Sequence, residues 1–207
     1  MKYFLSELRG AVLVTVMLAV VCCGIYPLVV FGLGQALFPA KANGSLIVDA
    51  HGTVRGSRLL GQQFASEKYF HSRPSAAGNG YDATASGGSN LGPTSQKLRD
   101  SIAQNIAAYR AENGLATNAP VPADAVTSSA SGLDPQISLR NAELQASRVA
   151  KARGLTLVQV RALIARHTDA PDLNVLGDAG VNVLELNLAL DAAPASASTA
   201  AYAQTQQ

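Results

Sequence analysis

Residues 11–38 read AVLVTVMLAVVCCGIYPLVVFGLGQALF, and no charged residue occurs from Gly10 to Ala40. As a helix this stretch is about 42 Å long, at about 1.5 Å per residue. A bilayer's hydrocarbon core is about 30 Å thick, so the segment can span it with tilt. Lipid offers no hydrogen-bond partner to open backbone, which leaves helix as the state for a lone span. A cleaved signal peptide is the main rival, and Ala40-Lys41-Ala42 even has the small-x-small form of a cleavage site. Signal-peptide apolar regions run only about 7–15 residues, which favours an uncleaved anchor. A lipoprotein signal fits no better, because Val21 precedes Cys22 where a small residue belongs.

Outward from the anchor, Lys2 and Arg9 precede the span, and Lys41 is the one basic residue in the fourteen that follow Phe38. The positive-inside bias places the N-terminus in the cytoplasm and the rest of the chain outside. Thr15, Ala19 and Cys23 repeat every fourth residue, a low ridge on which another helix can pack closely. Pro27 lies one turn further and removes a backbone donor, so a kink is expected there. The predicted organisation is a cytoplasmic N-terminus (1–10), a transmembrane anchor (11–38), an extracytoplasmic domain (39–191) and a disordered Ala/Ser/Thr/Gln tail (192–207).

The soluble part is near neutral, with 14 Lys and Arg against 13 Asp and Glu after the span. It lacks the basic patches with interleaved aromatics that nucleic acid requires. Both cysteines, Cys22 and Cys23, lie inside the anchor, so the domain has neither a disulfide framework nor a thiolate metal site. Its periodicities predict an α+β (mixed α/β) fold behind a single N-terminal transmembrane helix. Two short strands flank the His51-Gly52 turn. A helix capped by Thr94 or Ser95 runs to about Glu112, with Leu98, Ile102, Ile106 and Tyr109 as its core stripe. A second helix runs from Ser138 to Arg153 and stops at Gly154. A third opens on a Thr156–Gln159 capping box and ends near His167. Residues 182–190 fit helix or strand, with the Asn182 cap and the Leu, Glu and Ala content favouring helix.

No Walker loop, HExxH helix, GxSxG elbow or Cys-x-x-Cys pair occurs. His51, His71 and His167 are far apart in sequence. A hydrolase built from Ser129 or Ser131 with His71 or His167 is the remaining catalytic arrangement, and the expectation is a non-catalytic chain with no metal ligands. Three loop strings stand out instead: YFHSRPSAAG at residues 69–78, continuing to Tyr81-Asp82; SGGSNLGP at 86–93; and VTSSASGLDP at 126–135. Gly87 and Gly88 permit close backbone approach, and Gly92-Pro93 leads into a helix N-terminus, where free N–H groups can meet an anion or nucleotide. A structural loop feeding a helix cap is the plainer reading. A membrane-tethered extracytoplasmic domain that binds or senses a small ligand is the alternative function.

These strings, together with residues 141–153 and the closing VNVLELNLALD at 181–191, resemble the C subunit of the Kdp-type potassium-transporting ATPase of bacteria. The resemblance covers nearly the whole chain up to Asp191. It implies an accessory, non-pumping subunit of a potassium import complex in the inner membrane, where the charge bias puts the domain in the periplasm. The implied partners are a channel-like potassium-carrying subunit, a P-type ATPase subunit and a very small membrane subunit. It also implies a catalytic chaperone that raises the ATP affinity of the pump subunit, with ATP as a cofactor only through that subunit. SGGSNLG is similar to a nucleotide-sensing signature of another transporter class, in which a Gln follows the two glycines; here Ser89 does. Arg73, Ser86, Gly87, Gly88, Ser89, Asn90 and Gly92 are the candidate partner or nucleotide contacts, and Thr15, Ala19 and Cys23 the candidate packing face.

Overall fold

The computed structural model describes residues 2–193 apart from 172 and 174; the predicted disordered tail falls almost wholly outside the described residues. The chain divides into two compact units, residues 1–57 and 58 onward. In the first, helices α1 (Lys2–Ala19) and α2 (Tyr26–Leu37) are joined by a π-helical turn, Val20–Ile25. Together they form a rod, Tyr3–Leu37, long and apolar enough to cross a membrane, with none of its most apolar window buried. The disturbance expected from Pro27 takes the form of that π turn. Pro27 sits in the first turn of α2, where a missing N–H is tolerated. The preceding turn is wound wider, so that the Tyr26 N–H bonds the Val21 carbonyl, five residues back.

A short helix α3 (Pro39–Ala42) follows, tied to the end of α2 by Gln35 and Asn43, whose side-chain amides exchange bonds of 3.3 and 3.1 Å. Strands β1 (Leu46–Val48) and β2 (Val54–Ser57) then form the expected antiparallel hairpin. Its turn is held by Asp49, whose carboxylate accepts the N–H groups of His51 and Thr53 at 2.9 Å each and the Arg55 side chain at 2.8 Å.

The second unit contains α4 (Gln96–Glu112), β3 (Gln136–Ser138), α5 (Leu139–Arg153), α6 (Leu157–Arg166), β4 (Thr168–Asp169), β5 (Gly180–Asn182) and α7 (Val183–Ala192). The helix starts follow the capping chemistry in the sequence. Ser95, Ser138 and Thr156 accept the N–H groups of Leu98, Asn141 and Gln159, and Gln159 completes the capping box. Gly154, at φ 65°, closes α5 in the left-handed conformation. Asn182 accepts the Glu185 N–H at 3.1 Å, which resolves the ambiguous stretch as helix.

The sequence reading gave no hint of the three-stranded antiparallel sheet, ordered β3-β5-β4. Strands of two or three residues are too short to display alternation, and β5 runs straight into α7. The core gathers where this sheet meets α5, α6 and α7: Ile137, Val149, Val160, Val181 and Leu186 are all buried around Phe70. Ala142, Ala146 and Ala150 form the small inner face of α5. The stripe expected on α4 is only half-buried, apart from Tyr109, so that helix borders the core rather than filling it.

Candidate functional site

The three singled-out strings fold against one another. Gly132, at φ 67°, is the junction: a Cβ there would lie 2.6 Å from the Gly87 carbonyl oxygen and 2.7 Å from the Ala77 nitrogen. Only glycine fits so close a meeting of three backbones. Gly87 donates its N–H to the Ser131 carbonyl at 2.9 Å, and the Ser86 hydroxyl donates to the same oxygen at 3.0 Å. Ser75 Oγ ties the first string to the third by donating to the Gly132 carbonyl at 2.6 Å, while accepting the Tyr81 N–H at 2.8 Å. Arg73 pairs through Nη1 with Asp134 at 2.8 Å, and the Tyr81 hydroxyl donates to the Arg73 carbonyl.

A polar stripe on α5 secures the first string from beneath. Asn141, Gln145 and Arg148 fall at i, i+4 and i+7, next to the alanine face. Gln145 accepts the His71 N–H at 2.8 Å and donates to the His71 carbonyl at 3.1 Å. Arg148, with its side chain only 6% exposed, donates to the carbonyls of Glu67 and Tyr69 at 2.7 and 3.0 Å. Asn141 accepts from the Tyr109 hydroxyl and donates to Asp124. Burial, and next the charge of Asp124, push the Tyr109 phenol well above its ordinary range. Burial lowers Arg148 from its usual value, against the pull of Glu112. Glu112 is held below the usual carboxylate range, first by its 2.7 Å bond from His71 Nδ1.

Against known proteins, residues 8–192 match the family model of the K+-transporting ATPase c chain, KdpC. A potassium-transporting ATPase KdpC subunit of Mycobacterium tuberculosis is 54% identical over 185 residues, covering 89% of this chain and 97% of the relative. The KdpC subunits of Koribacter versatilis and Caulobacter sp. are 52% and 53% identical, covering 90% and 91% of this chain and 94% of each relative.

The chain belongs to the KdpC family.

In this KdpC-family chain the matched region runs from the anchor to the last turn of α7. Of the candidate contacts, Arg73, Ser86, Gly87 and Gly88 are engaged in the loop junction; a Cβ on Gly88 would lie 3.1 Å from the Ala130 carbonyl oxygen. Arg73 Nε is buried with no partner among the described residues. Ser89, Asn90 (φ 53°) and Gly92 are exposed at the tip of the second string. On the anchor, Ala19 and Cys23 line one groove, and Thr15 lies one α-helical turn before Ala19. Of the residues weighed for hydrolysis, His71 Nδ1 meets Glu112 and its Nε2 lies 3.1 Å from the Ser66 carbonyl oxygen, while Ser131 Oγ accepts the Leu133 N–H. Sequence reasoning passed over Gln145, Arg148 and Asn187, which hold the first string in place. Nothing local marked them: α5 reads LRNAELQASRVAKAR, with polar residues throughout.

Proposed function

We propose that this KdpC-family chain is an accessory, non-pumping subunit of an ATP-driven potassium import complex in the inner membrane. One helix anchors it, and its second unit stands on the periplasmic side. The observation that carries the reading is 54% identity, across nearly the full length of both chains, to a relative named as a potassium-transporting ATPase subunit. In this reading its partners are a potassium-carrying subunit, a P-type ATPase subunit and a small membrane subunit.

The loop junction supports a docking role over a nucleotide cradle. The Gly87 N–H is given to Ser131, and Gly88 is pressed against Ala130. A phosphate would have to compete with these internal contacts for the loop backbone. The exposed Ser89, Asn90 and Gly92 then form the tip that meets a partner, over the outer mouth of the potassium pathway. Any rise in the pump's ATP affinity would reach it through the assembled complex, without this domain touching ATP.

The test is solubilisation in mild detergent with a tag on this chain. The P-type ATPase subunit is expected to co-purify, with potassium-stimulated ATPase activity in the eluate. Recovery of the chain alone under every condition would overturn the reading.

A further inference from the structure

Three asparagines are followed directly by glycine: Asn43-Gly44, Asn79-Gly80 and Asn113-Gly114. In an open chain this pair is reactive. A glycine nitrogen has no neighbouring Cβ to shield it, and the backbone on its C-terminal side turns freely. The nitrogen can therefore reach the carbonyl carbon of the asparagine side chain before it. The fold decides which of the three pairs is free to make that approach.

Two of them are held. Asn113 is only 8% exposed; its Nδ2 donates to the Tyr109 carbonyl at 2.9 Å and its Oδ1 accepts Arg148 Nε at 3.0 Å. Asn43 is exposed, but its Nδ2 donates to the Pro39 carbonyl at 2.7 Å and to Gln35 Oε1 at 3.1 Å. Asn79 differs from both: it is exposed, and its side chain has no hydrogen bond among the described residues. It stands between Gly78 at φ 53° and Gly80 at φ 108°. A Cβ on Gly80 would meet nothing within 4 Å, so the turn is open on that side. The Gly80 N–H is given to the Ala77 carbonyl at 2.8 Å, yet the same oxygen accepts the Asp82 N–H at 3.3 Å. Ala77 thus keeps a partner when Gly80 swings out, and this local opening strands no buried acceptor.

We propose that Asn79 is a site of spontaneous modification by its own backbone, converting through Gly80 to aspartate and isoaspartate. The Gly80 nitrogen attacks Asn79 Cγ. The N–Cγ bond forms as the Cγ–Nδ2 bond breaks, and the side-chain nitrogen leaves as ammonia, carrying the proton that the Gly80 nitrogen gave up. Water then opens the cyclic imide, and nothing is oxidised or reduced. Attack at Cγ restores the ordinary chain with aspartate at 79. Attack at the backbone carbonyl carbon leaves isoaspartate, whose main chain runs through Cβ and Cγ and is one atom longer. That extra atom falls in a turn pinned to the loop junction: the Tyr81 N–H is bonded to Ser75 Oγ, and the Tyr81 hydroxyl donates to the Arg73 carbonyl. Isoaspartate at 79 therefore moves Tyr81 off these partners, whereas aspartate leaves the turn as it is.

The test uses the full chain in detergent and needs no partner subunit. It is held in mildly alkaline buffer, folded or in guanidinium chloride, and sampled over time. Trypsin, which does not cut Arg73-Pro74, separates the three pairs into residues 42–55, 69–97 and 111–140. Fragment masses locate each change, and an isoaspartyl methyltransferase marks the isoaspartate. In the folded chain Asn79 is expected to convert several-fold faster than Asn43 or Asn113, and in denaturant the three rates should come together. Conversion of Asn43 or Asn113 as fast as Asn79 in the folded chain, or none at Asn79, overturns the site. Aged chain bearing isoaspartate at 79 should unfold at a lower urea concentration than fresh chain. Aged Asn79→Gln and fresh Asn79→Asp should both keep the fresh midpoint. An unchanged midpoint in the isoaspartate-bearing chain, or an equal fall in either variant, overturns the link to the junction.

Discussion

Asn187 and Phe70 exchange two hydrogen bonds: the Asn187 side-chain amide donates to the Phe70 carbonyl at 2.9 Å and accepts the Phe70 N–H at 2.8 Å. A side chain on α7 thus stands in for a neighbouring strand, and it does so where Phe70 is fully buried. Gln145 repeats the arrangement for His71. An irregular segment can cross a core only if each buried N–H and C=O finds such a partner.

Asn187→Leu should therefore cost far more than a lost contact. It leaves two buried backbone groups unpaired, each worth about 1–3 kcal/mol. The expected loss is about 2–5 kcal/mol in urea unfolding of the full chain in detergent. A midpoint within experimental error of the unsubstituted chain would remove the clamp from the account.

Gly132→Ala should disrupt the loop junction. The added Cβ meets Gly87 and Ala77 backbone atoms in a left-handed conformation, and the expected cost is about 2–4 kcal/mol. Gly88→Ala should cost less, because its nearest contact is 3.1 Å and its φ is not in the left-handed region. Gly88→Val is expected to lower complex yield and pump turnover. Equal unfolding midpoints for the two alanine variants would contradict this ranking.

Acid should weaken the second unit through Glu112. Its carboxyl is depressed below the ordinary 4.5 in the folded chain, so the unfolded chain takes up the proton first as pH falls. The stabilisation is fully present above about 4.5 and is lost as pH drops through the lower folded value. Unfolding midpoints from pH 3 to 7 should separate the unsubstituted chain from Glu112→Gln at neutral pH and converge in acid. A constant gap across that range would count against it.

The tip of the second string should affect assembly without affecting stability. Ser89 is exposed, so Ser89→Lys should leave the unfolding free energy within about 0.5 kcal/mol. Co-purification of the pump subunits should fall several-fold. Normal recovery of the complex would move the docking surface elsewhere on the domain.

A protease site placed at the exposed Gly78 turn should be cut in intact spheroplasts and protected in inside-out vesicles. The reverse pattern would put the domain in the cytoplasm and bring direct contact with the nucleotide machinery back into consideration.

The sequence by itself determined the elements whose causes are local. Residues 11–38 read as a span because hydropathy and length act within one segment. Ser95, Ser138, Thr156, Asn182 and Gly154 marked helix ends because a cap is a bond between residues a few positions apart. The tertiary structure alone decided what depends on distant partners. The pairing of β3 with β5 joins residues 42 to 46 positions apart, and that of β4 with β5 residues 11 to 13 apart, in strands of three residues or fewer. The clamp of Phe70 by Asn187 closes 117 positions of chain. Three loop strings were visible as strings, but only folding showed that Gly132 lets them share one junction. A polar side chain buried on a helix has no local signature, because its hydrogen-bond partner is supplied by a segment that sequence spacing cannot place.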